Sequence, residues 1–517
     1  MLYLRSAEDL FEVVELYTNF GAEVPCFVDP VFESRTHLRT AAGKLTPLNS
    51  PANGLCWLAF DPRTASWCYL SEPERAVWEQ LRQGAGYREI TERPDGITAE
   101  DARDLLVHLY RRGLLEVDGK PSLAPDIFEH GPLFRRAYLI EVLLTEACNL
   151  GCRYCYARAG PGRDVMPPET LRRTVDLAMA LPSEGVTIQF AGGETFTHFA
   201  GLQQAVSYIE DAAARAGKEP DIICQTNGTL LTPPGVIDFL REHNISVGIS
   251  LDGPRAINDL SRPYPDGGSS YADTLAGLQA VREAGYEVVG TLSVVGRHNV
   301  EEPEKLLDYF AELGVIGVRF NPIIRKGRGE SAWDAMGITP REYFEFMKAV
   351  TEYLGRTHAF TEGNLESLVR NLVLRTRNFR CMRSPCGAGV DYMAITPEGD
   401  VYPCVHWLRQ PELCLGNVAE LESLEWAFLN SSVVCDMTSR IVAKIPGCDG
   451  CRWRHLCEAG CGLDALEQHG DLLTPAPLCE FYREMYPFLL DYLAGDPALA
   501  TFLLPEVERC PADGGHG

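Results

Sequence analysis

Residues 148–155 read Cys148-Asn149-Leu150-Gly151-Cys152-Arg153-Tyr154-Cys155, directly after an apolar, strand-like segment. The three cysteines stand at C-x3-C-x2-C spacing. Three thiolates on a short loop can ligate three irons of a cubane [4Fe-4S] cluster and leave the fourth iron open to a small chelating molecule. A zinc site would need a fourth cysteine or histidine nearby, and the next candidate is His198. The spacing therefore favours a cluster with one reactive iron.

The composition is that of a large globular protein. At 517 residues the chain is too long for one ordinary core and predicts about three domains. Hydrophobic residues make up 45% and charged residues 23%, which are ordinary values. No apolar run approaches the roughly 18 residues of a membrane helix, and the amino terminus turns acidic at Glu8 and Asp9 instead of opening a signal peptide. We therefore expect a cytoplasmic protein without a membrane partner.

Charge and cysteine content narrow the function further. The 72 acidic residues outnumber the 47 lysines and arginines. The net charge of -25 disfavours a large surface that binds along a phosphate backbone. We expect no nucleic-acid partner, which argues against tRNA-modifying and DNA-repair enzymes. Eighteen cysteines in a reducing compartment indicate metal ligation more than disulfides, and ten of them lie between Cys381 and Cys479.

The loop at residues 148–155 resembles the signature loop of the radical S-adenosylmethionine (SAM) enzymes, including the aromatic Tyr154 before the last cysteine. Around it, strand-like and helix-like patterns alternate, which predicts a parallel sheet with outer helices. The resemblance implies an α/β fold, a partial (β/α)6 barrel with its chemistry at the carboxyl ends of the strands. The six strand candidates are Tyr138–Leu144, Val186–Phe190, Ile222–Gln225, Ser246–Leu251, Val288–Val294 and Gly317–Phe320.

Residues after the second and third strand candidates resemble motifs of the same family. Gly192, Gly193 and Glu194 match a Gly-Gly-Glu motif that meets the amino group of SAM, because glycines permit close approach and a carboxylate suits an ammonium. The proline that usually follows this glutamate is replaced by Thr195. The run Gln225–Leu230 matches the family's Thr-Asn-Gly-Thr-Leu-Leu turn, to which we assign a part in shaping the site but none in catalysis.

The remaining cofactor contacts follow the fourth strand candidate. There the chain reads Ser-Leu-Asp-Gly-Pro from Ser250, with an arginine downstream, as in the family. The resemblance implies that Ser250 and Asp252 lie near the ribose and methionine of SAM. Arg262 would pair with the SAM carboxylate, which a guanidinium fits in bidentate geometry. Together with Tyr154 these residues complete the predicted cofactor-binding set.

A second group of cysteines resembles the SPASM extension of radical SAM enzymes. Its seven-cysteine pattern is met here, and Cys381 adds an eighth ligand upstream, enough for two further cubanes. The interleaved ligation of the family implies a first set of Cys381, Cys386, Cys404 and Cys461 and a second set of Cys448, Cys451, Cys457 and Cys479. The alternative is a pair of zinc ribbons. We expect three [4Fe-4S] clusters, one of which binds SAM.

Residues 51–120 resemble a small winged-helix domain that binds leader peptides, similar to the pyrroloquinoline-quinone chaperone. The pattern predicts a hairpin of Leu55–Phe60 and Ser66–Leu70, then helices at Pro73–Leu81 and from Thr98, and an exit reading RRGLLEV. A peptide would add as a strand to the exposed hairpin edge. The alternative is a nucleic-acid-binding or purely structural winged helix.

The predicted domain order places this segment before the catalytic core. We predict an unassigned amino-terminal segment (1–50), the winged-helix-like domain (51–120), a linker (121–136), the radical SAM core (137–330), bridging helices (331–380), the SPASM domain (381–485) and a carboxyl-terminal tail (486–517).

The resemblance implies that SAM is reduced to a 5′-deoxyadenosyl radical, which abstracts a hydrogen atom from a peptide side chain. The electron would come from a flavodoxin or ferredoxin. Anaerobic sulfatase-maturing enzymes carry an aspartate base directly after Tyr-Pro-Cys, whereas Val405 follows Cys404 here, with His406 as the candidate base beside it. We therefore expect maturation of a ribosomally made precursor peptide through a thioether, carbon–carbon or carbon–oxygen crosslink. The alternatives are a sulfatase-maturase-like dehydrogenase that oxidises Cys or Ser, and a non-catalytic iron–sulfur redox sensor.

Overall fold

The computed structural model describes residues 32–33, 35–40, 45–50, 54–92, 96–121, 137–162, 164–183, 185–285, 288–373, 380–383 and 386–505. Most of the predicted segment 1–50, nearly all of the predicted linker (121–136) and residues 506–517 of the predicted tail lie outside the described residues. Within the described part, none of the helices is long and apolar enough to span a membrane.

The described residues of the amino-terminal part form two three-stranded antiparallel sheets and three helices. One sheet has the order β2-β3-β4 and the other the order β1-β5-β6. Ser71 and Thr98 precede the first and third helices. Ser71 donates its amide and hydroxyl to Glu74 Oε2, and Thr98 Oγ1 accepts the Asp101 amide. The elements are β1 (Leu38–Thr40), β2 (Thr46–Ser50), β3 (Gly54–Asp61), β4 (Ser66–Leu70), α1 (Glu72–Arg82), α2 (Tyr87–Glu92), α3 (Ala99–Arg111), β5 (Leu115–Val117) and β6 (Lys120–Pro121).

The predicted hairpin is present, but it is more enclosed than expected. Its first strand, β3, is the central strand of its sheet because β2 pairs with the other side. At β4, the Trp67 carbonyl accepts a hydrogen bond from Arg112 Nη1 at 2.8 Å. Trp67 Nε1 donates to the Leu372 carbonyl at 2.7 Å, and the Tyr69 hydroxyl donates to the Leu490 carbonyl at 2.6 Å. The hairpin is therefore docked on the carboxyl-terminal helices.

A ten-stranded sheet forms the centre of the molecule. Its middle contains the six predicted strands as parallel neighbours, in the reverse of their chain order. The predicted α/β fold with a partial (β/α)6 barrel is confirmed. The six strands are β7 (Ala137–Thr145), β8 (Gly185–Gly192), β9 (Glu219–Thr226), β10 (Ser246–Ser250), β11 (Val288–Val295) and β12 (Gly317–Pro322).

The short strand β13 (Thr361–Glu362) extends this sheet beyond β12, and the strands β14 (Tyr392–Ile395), β15 (Asp400–Tyr402) and β16 (Gly416–Asn417) extend it beyond β7. The pairing of β14 with β7 is parallel. The helices that follow or connect the strands are α4 (Pro168–Met179), α5 (Phe199–Ala216), α6 (Val236–Glu242), α7 (Arg255–Ser261), α8 (Tyr271–Glu283), α9 (Pro303–Leu313), α10 (Arg328–Ser331), α11 (Trp333–Met336), α12 (Pro340–Thr357) and α13 (Gly363–Val373).

Residue alternation along the strands separates an apolar face from a more polar one. In β7, Ile140 and Val142 are buried in one core cluster with Leu171 of α4 and Val206 of α5. Because successive strand residues point to opposite faces, Glu141 lies on the other face, inside the partial barrel. The sheet thus turns its apolar side chains toward the helices and leaves polar ones for the interior.

The carboxyl-terminal helices close the molecule. They are α14 (Leu424–Leu429), α15 (Ser432–Ser439), α16 (Arg454–Cys457), α17 (Gly462–His469), α18 (Cys479–Gly495) and α19 (Ala498–Leu503). The predicted boundary at residue 485 falls inside α18, where Tyr486, Leu489 and Leu490 are fully buried against the α12 and α13 side of the core. The described part of the predicted tail is therefore core helix, because its apolar residues recur at helical spacing.

Candidate active site

The cysteine loop at residues 148–155 is fastened to the turn after β9. Asn149 Nδ2 donates to Thr229 Oγ1 at 2.8 Å, and Asn227 Nδ2 donates to Asn149 Oδ1 at 2.9 Å. Both partners belong to the run Gln225–Leu230. This run therefore holds the middle of the cysteine loop in place.

Other segments hold the opposite side of the same loop. The Gly151 amide donates to the Pro263 carbonyl at 2.7 Å, and the Arg153 amide donates to the Ser261 carbonyl at 2.9 Å. Arg328, after β12, donates through Nε to the Cys152 carbonyl at 2.7 Å. The sequence analysis did not find Arg328, because a single arginine after a strand carries no spacing signal.

The Gly-Gly-Glu turn after β8 packs directly on the backbone that leads into the cysteine loop. The Gly193 amide donates to the Thr145 carbonyl at 2.9 Å, and the Glu194 amide donates to the Ala147 carbonyl at 2.8 Å. A Cβ at position 193 would lie 2.1 Å from the Ala147 carbonyl oxygen. Only glycine fits this close approach of two backbones.

The Glu194 carboxylate is 1% exposed and joins the second strand end to the third. Its Oε1 accepts from Thr226 Oγ1 at 2.8 Å and from the Phe196 amide at 3.2 Å, and its Oε2 accepts from the Asn227 amide at 2.7 Å. Burial raises the pKa of Glu194, while these hydrogen bonds oppose the rise. The structure thus gives Glu194 protein partners, and its contact with the SAM amino group stays a prediction.

Asp252 is the centre of a buried network beneath the cysteine loop. Its Oδ1 accepts from the Val294 amide at 2.9 Å, and its Oδ2 accepts from the hydroxyls of Tyr154 at 2.7 Å and Ser261 at 2.6 Å. Arg262 Nη1 in turn donates to the Tyr154 hydroxyl oxygen at 2.6 Å. Asp252 is 0% exposed, so its carboxylate holds Tyr154 and the residues after β10. Its predicted contact with the cofactor remains untested.

Ser250 and Arg262 lie at the same strand end as Asp252 and are buried. Ser250 Oγ accepts from Gln225 Nε2 at 3.0 Å. The structure thus brings together the fourth strand end, the turn after β9 and the cysteine loop, as the predicted cofactor set requires.

The three thiols of the loop are grouped as a cluster site needs. Burial first, and then the neighbouring Cys152 thiol and the Glu194 carboxylate, raise the pKa of Cys148 to about 12. Burial and the Cys155 thiol also raise the pKa of Cys152. Iron would replace these protons, because thiolates are the ligands. The three thiols beside a glycine turn that approaches the same loop fit a cubane cluster with SAM on its open iron.

The two predicted auxiliary sets stay predictions, and the electrostatics of their thiols supports them. Burial first, and then Cys381, Cys461 and Cys386 in that order, raise the pKa of Cys404. Cys381 is exposed at the edge of this set. Their mutual effect groups these four thiols as one donor set, consistent with the predicted interleaving.

The second set is grouped in the same way. Burial, and then Cys479 and Cys451, raise the pKa of Cys448 to about 11. Burial first, and then Glu458 and the thiols of Cys451 and Cys448, raise the pKa of Cys457. All cysteines of the described chain are free thiols, so both donor sets fit iron ligation.

Two family models match the chain. The radical SAM superfamily matches residues 142–310, and the iron–sulfur cluster-binding domain called SPASM matches residues 386–452. The chain contains a radical SAM domain and a SPASM domain. It is an enzyme of the oxidoreductase type, and its two domains indicate iron–sulfur clusters and SAM binding.

Similar proteins cover most of the chain. An uncharacterized protein of Archaeoglobus fulgidus is 28% identical over 436 residues, which are 82% of this chain and 92% of that protein. A serine-type anaerobic sulfatase-maturating enzyme of Bacteroides thetaiotaomicron is 26% identical over 396 residues, 70% of this chain and 92% of that enzyme.

Solved structures share the fold. Native anSMEcpe with bound AdoMet covers 71% of this chain and 99% of its own, with 20% sequence identity and a TM-score of 0.61. Streptococcus suis SuiB bound to the precursor peptide SuiA covers 88% of this chain and 99% of its own, with 15% identity and a TM-score of 0.50.

His406, the predicted candidate base in the SPASM domain, is a weak base in this fold. Burial first, and then the positive charge of Lys326, lower its pKa to about 4. Its ring packs edge-on against Tyr156, with 5.5 Å between centroids. The ligand atoms of His406, Cys461 and Asp464 lie within 4.8 Å of one another. His406 therefore lies beside the first auxiliary set, neutral at ordinary pH.

A buried carboxylate that the sequence analysis missed lies between the radical SAM domain and the SPASM domain. The Tyr392 hydroxyl donates to Glu141 Oε2. Burial raises the pKa of Glu141 to about 7, although the bond from Tyr392 opposes the rise. Tyr156 lies directly after Cys155. Burial first, and then Glu141 and the thiols of Cys155 and Cys404, raise the pKa of the Tyr156 hydroxyl. A single glutamate within the apolar strand AYLIEVLLT was the signal that could have found it.

Proposed function

We propose that this protein is a radical SAM enzyme that modifies a ribosomally synthesised precursor peptide. Three [4Fe-4S] clusters would be held by the cysteine loop and the two auxiliary sets, with electrons from a flavodoxin or ferredoxin. When bound, the first cluster and SAM would supply a 5′-deoxyadenosyl radical. The modified peptide would lose two hydrogen atoms and gain a thioether, carbon–carbon or carbon–oxygen crosslink.

The observation that carries this proposal is the apolar residue after Tyr-Pro-Cys. Val405 is 8% exposed and packs in an apolar cluster with Trp407 and Leu408, so this position offers no carboxylate to a substrate. A peptide as partner is supported by two fold relatives, since anSMEcpe has been solved with the Cp18Cys peptide and SuiB with the precursor peptide SuiA.

We further propose that the leader of the peptide binds the amino-terminal sheets and helices, β1 to β6 and α1 to α3. The order of a small sheet, three helices and a final short hairpin suits a winged-helix domain. Because Arg112 already occupies the Trp67 carbonyl, pairing at the β4 edge requires this bond to open. The outer strands β1, β2 and β6 are the other edges that such a peptide can use.

The test uses the reconstituted full chain, SAM, a reductant and the short peptide encoded beside the gene. We expect a peptide product two hydrogens lighter, formed together with 5′-deoxyadenosine, and no product from a Cys152→Ala control. The same peptide should slow backbone hydrogen exchange in the amino-terminal sheets and helices, β1 to β6 and α1 to α3. An aldehyde-reactive hydrazide probe separates the alternatives, because a serine oxidised by sulfatase-type chemistry labels and a crosslinked residue does not. A labelled product would contradict the crosslink proposal.

We propose Glu141 as the proton acceptor of this reaction, in place of His406. The carboxylate would remove one proton from the substrate group that bonds to the radical carbon, while the Tyr392 hydroxyl keeps it oriented. With its pKa raised to about 7, Glu141 is half ionised at that pH and becomes mostly ionised above it. Product formation should therefore rise as the pH increases through 7.

Glu141→Gln should lower the rate of peptide modification by about a hundredfold or more, the usual worth of a general base. It should also flatten the pH profile and leave iron content and uncoupled 5′-deoxyadenosine formation close to wild type. The exposed Glu398→Gln variant serves as the matched control. If Glu141→Gln has an unchanged rate and pH profile, Glu141 is not the proton acceptor and the Glu141–Tyr392 pair has only a structural role.

A further inference from the structure

Arg440 lies between the two auxiliary cysteine sets, directly after helix α15. It is 7% exposed. Four thiols, two from each set, act electrostatically on its guanidinium, namely Cys461 and Cys386 from the first set and Cys448 and Cys457 from the second. No sequence pattern points to this residue, since it stands outside every cysteine spacing.

The guanidinium makes hydrogen bonds through all three of its nitrogens. Nη1 donates to the carbonyls of Gly460 at 3.0 Å and Glu458 at 3.4 Å. Nη2 donates to the Ala459 carbonyl at 3.1 Å and the Thr474 carbonyl at 3.1 Å, and Nε donates to the Leu472 carbonyl at 2.8 Å. Arg440 therefore binds two backbone loops at once.

One of these loops has an uncommon conformation. Glu458, Ala459 and Gly460 are all left-handed, with φ values of 49°, 62° and 69°. Two successive non-glycine residues in this region cost free energy that the surroundings must offset. The three carbonyls of this run converge on Arg440. The loop joins Cys457 of the second set to Cys461 of the first, so its shape fixes a ligand of each.

We propose that Arg440 is a positioning residue for both auxiliary clusters, which holds the Cys457–Cys461 loop and places a positive charge between the two sets. A fixed positive charge in a buried site favours the more negative, reduced form of a nearby cluster. Arg440 thereby raises the reduction potentials of both clusters together. This inference rests on the two auxiliary clusters of the proposed function and is independent of the peptide substrate.

The test is a redox titration followed by electron paramagnetic resonance, on full chain reconstituted in a background where Cys148, Cys152 and Cys155 are alanine. Only the auxiliary clusters then give signals. We expect Arg440→Gln to shift the oxidised-to-reduced ratio of both clusters at least tenfold toward the oxidised form at a fixed potential, about 59 mV for one electron. Arg440→Lys keeps the charge, so its reduction potentials should stay near wild type, although its ammonium can replace at most three of the five hydrogen bonds.

Arg452 provides a matched control. Burial lowers the pKa of the Arg452 guanidinium, and the Cys451 thiol, which belongs to the second set only, opposes this effect. The guanidinium carbon lies 4.6 Å from the Trp453 ring centroid. Arg452→Gln should shift one cluster at most. Full iron content with unchanged potentials in Arg440→Gln would overturn the proposal. If Arg440→Gln loses iron, the loss supports the loop-holding role, and Arg440→Lys then tests the charge: reduction potentials near wild type in its iron-loaded fraction support the proposal, and a shift of about 59 mV or more overturns it.

Discussion

Replacing Gly193 with alanine is expected to lower SAM cleavage by about a hundredfold or more. The new Cβ would lie 2.1 Å from the Ala147 carbonyl oxygen and 2.7 Å from the Glu146 carbonyl carbon. Both contacts are with backbone, so no flexible side chain can turn aside. The Gly-Gly-Glu turn and the segment entering the cysteine loop must separate by about 1 Å, a displacement that can cost two orders of magnitude when it affects reacting groups.

The measurement is 5′-deoxyadenosine formed by the reconstituted enzyme, with iron content and SAM affinity determined in parallel. Gly160→Ala is the matched control, because among the described residues no atom lies within 4 Å of a Cβ built at Gly160. The Gly160 amide and carbonyl also hydrogen-bond to this segment, at Glu146 and Cys148, and alanine keeps both bonds. Equal activity of the two variants would show that the close approach at Gly193 is not needed.

The strands and cysteine positions of this protein could be predicted because their signals are local. The six parallel strands are apolar runs at βα spacing, and each is present in the structure. The cysteine loop and the two cysteine sets follow fixed spacings, and within each set neighbouring thiols raise one another's pKa. The capping residues Ser71 and Thr98 likewise begin their helices. In each case neighbouring residues carry the whole signal.

Other site features could not be predicted because they depend on contacts far along the chain. Glu141 meets Tyr392 across 251 residues, and Arg328 reaches Cys152 across 176. Arg440 acquires its position from carbonyls that no side-chain pattern encodes. The enclosure of the hairpin also depends on distant contacts. Strand β2 pairs with β3, and Arg112 donates a hydrogen bond to the Trp67 carbonyl of β4. Spacing identifies ligands, whereas burial and partners decide which polar residues become reactive or structural.

Asp252→Ala is expected to be the most destabilising single change near the site, by about 3–5 kcal/mol. The substitution would leave the Val294 amide and the hydroxyls of Tyr154 and Ser261 without their acceptor in a space that is 0% exposed. Asp252→Asn should cost less. Its carbonyl oxygen can still accept from Val294, and hydroxyl groups can rotate to meet the new amide, so only the charge is lost.

The expected order of melting temperatures is therefore Asp252→Ala below Asp252→Asn below wild type. Asp266→Asn, an exposed aspartate that accepts the Gly268 amide at 2.9 Å, should match wild type. Melting followed by circular dichroism on the reconstituted chain compares the variants without assuming two-state unfolding of a multidomain protein. Because Asp252 orients Tyr154 and through it Arg262, SAM affinity should fall in the same order as stability. A stable Asp252→Ala protein that has lost SAM binding would instead place Asp252 in direct contact with the cofactor, as its sequence motif first suggested.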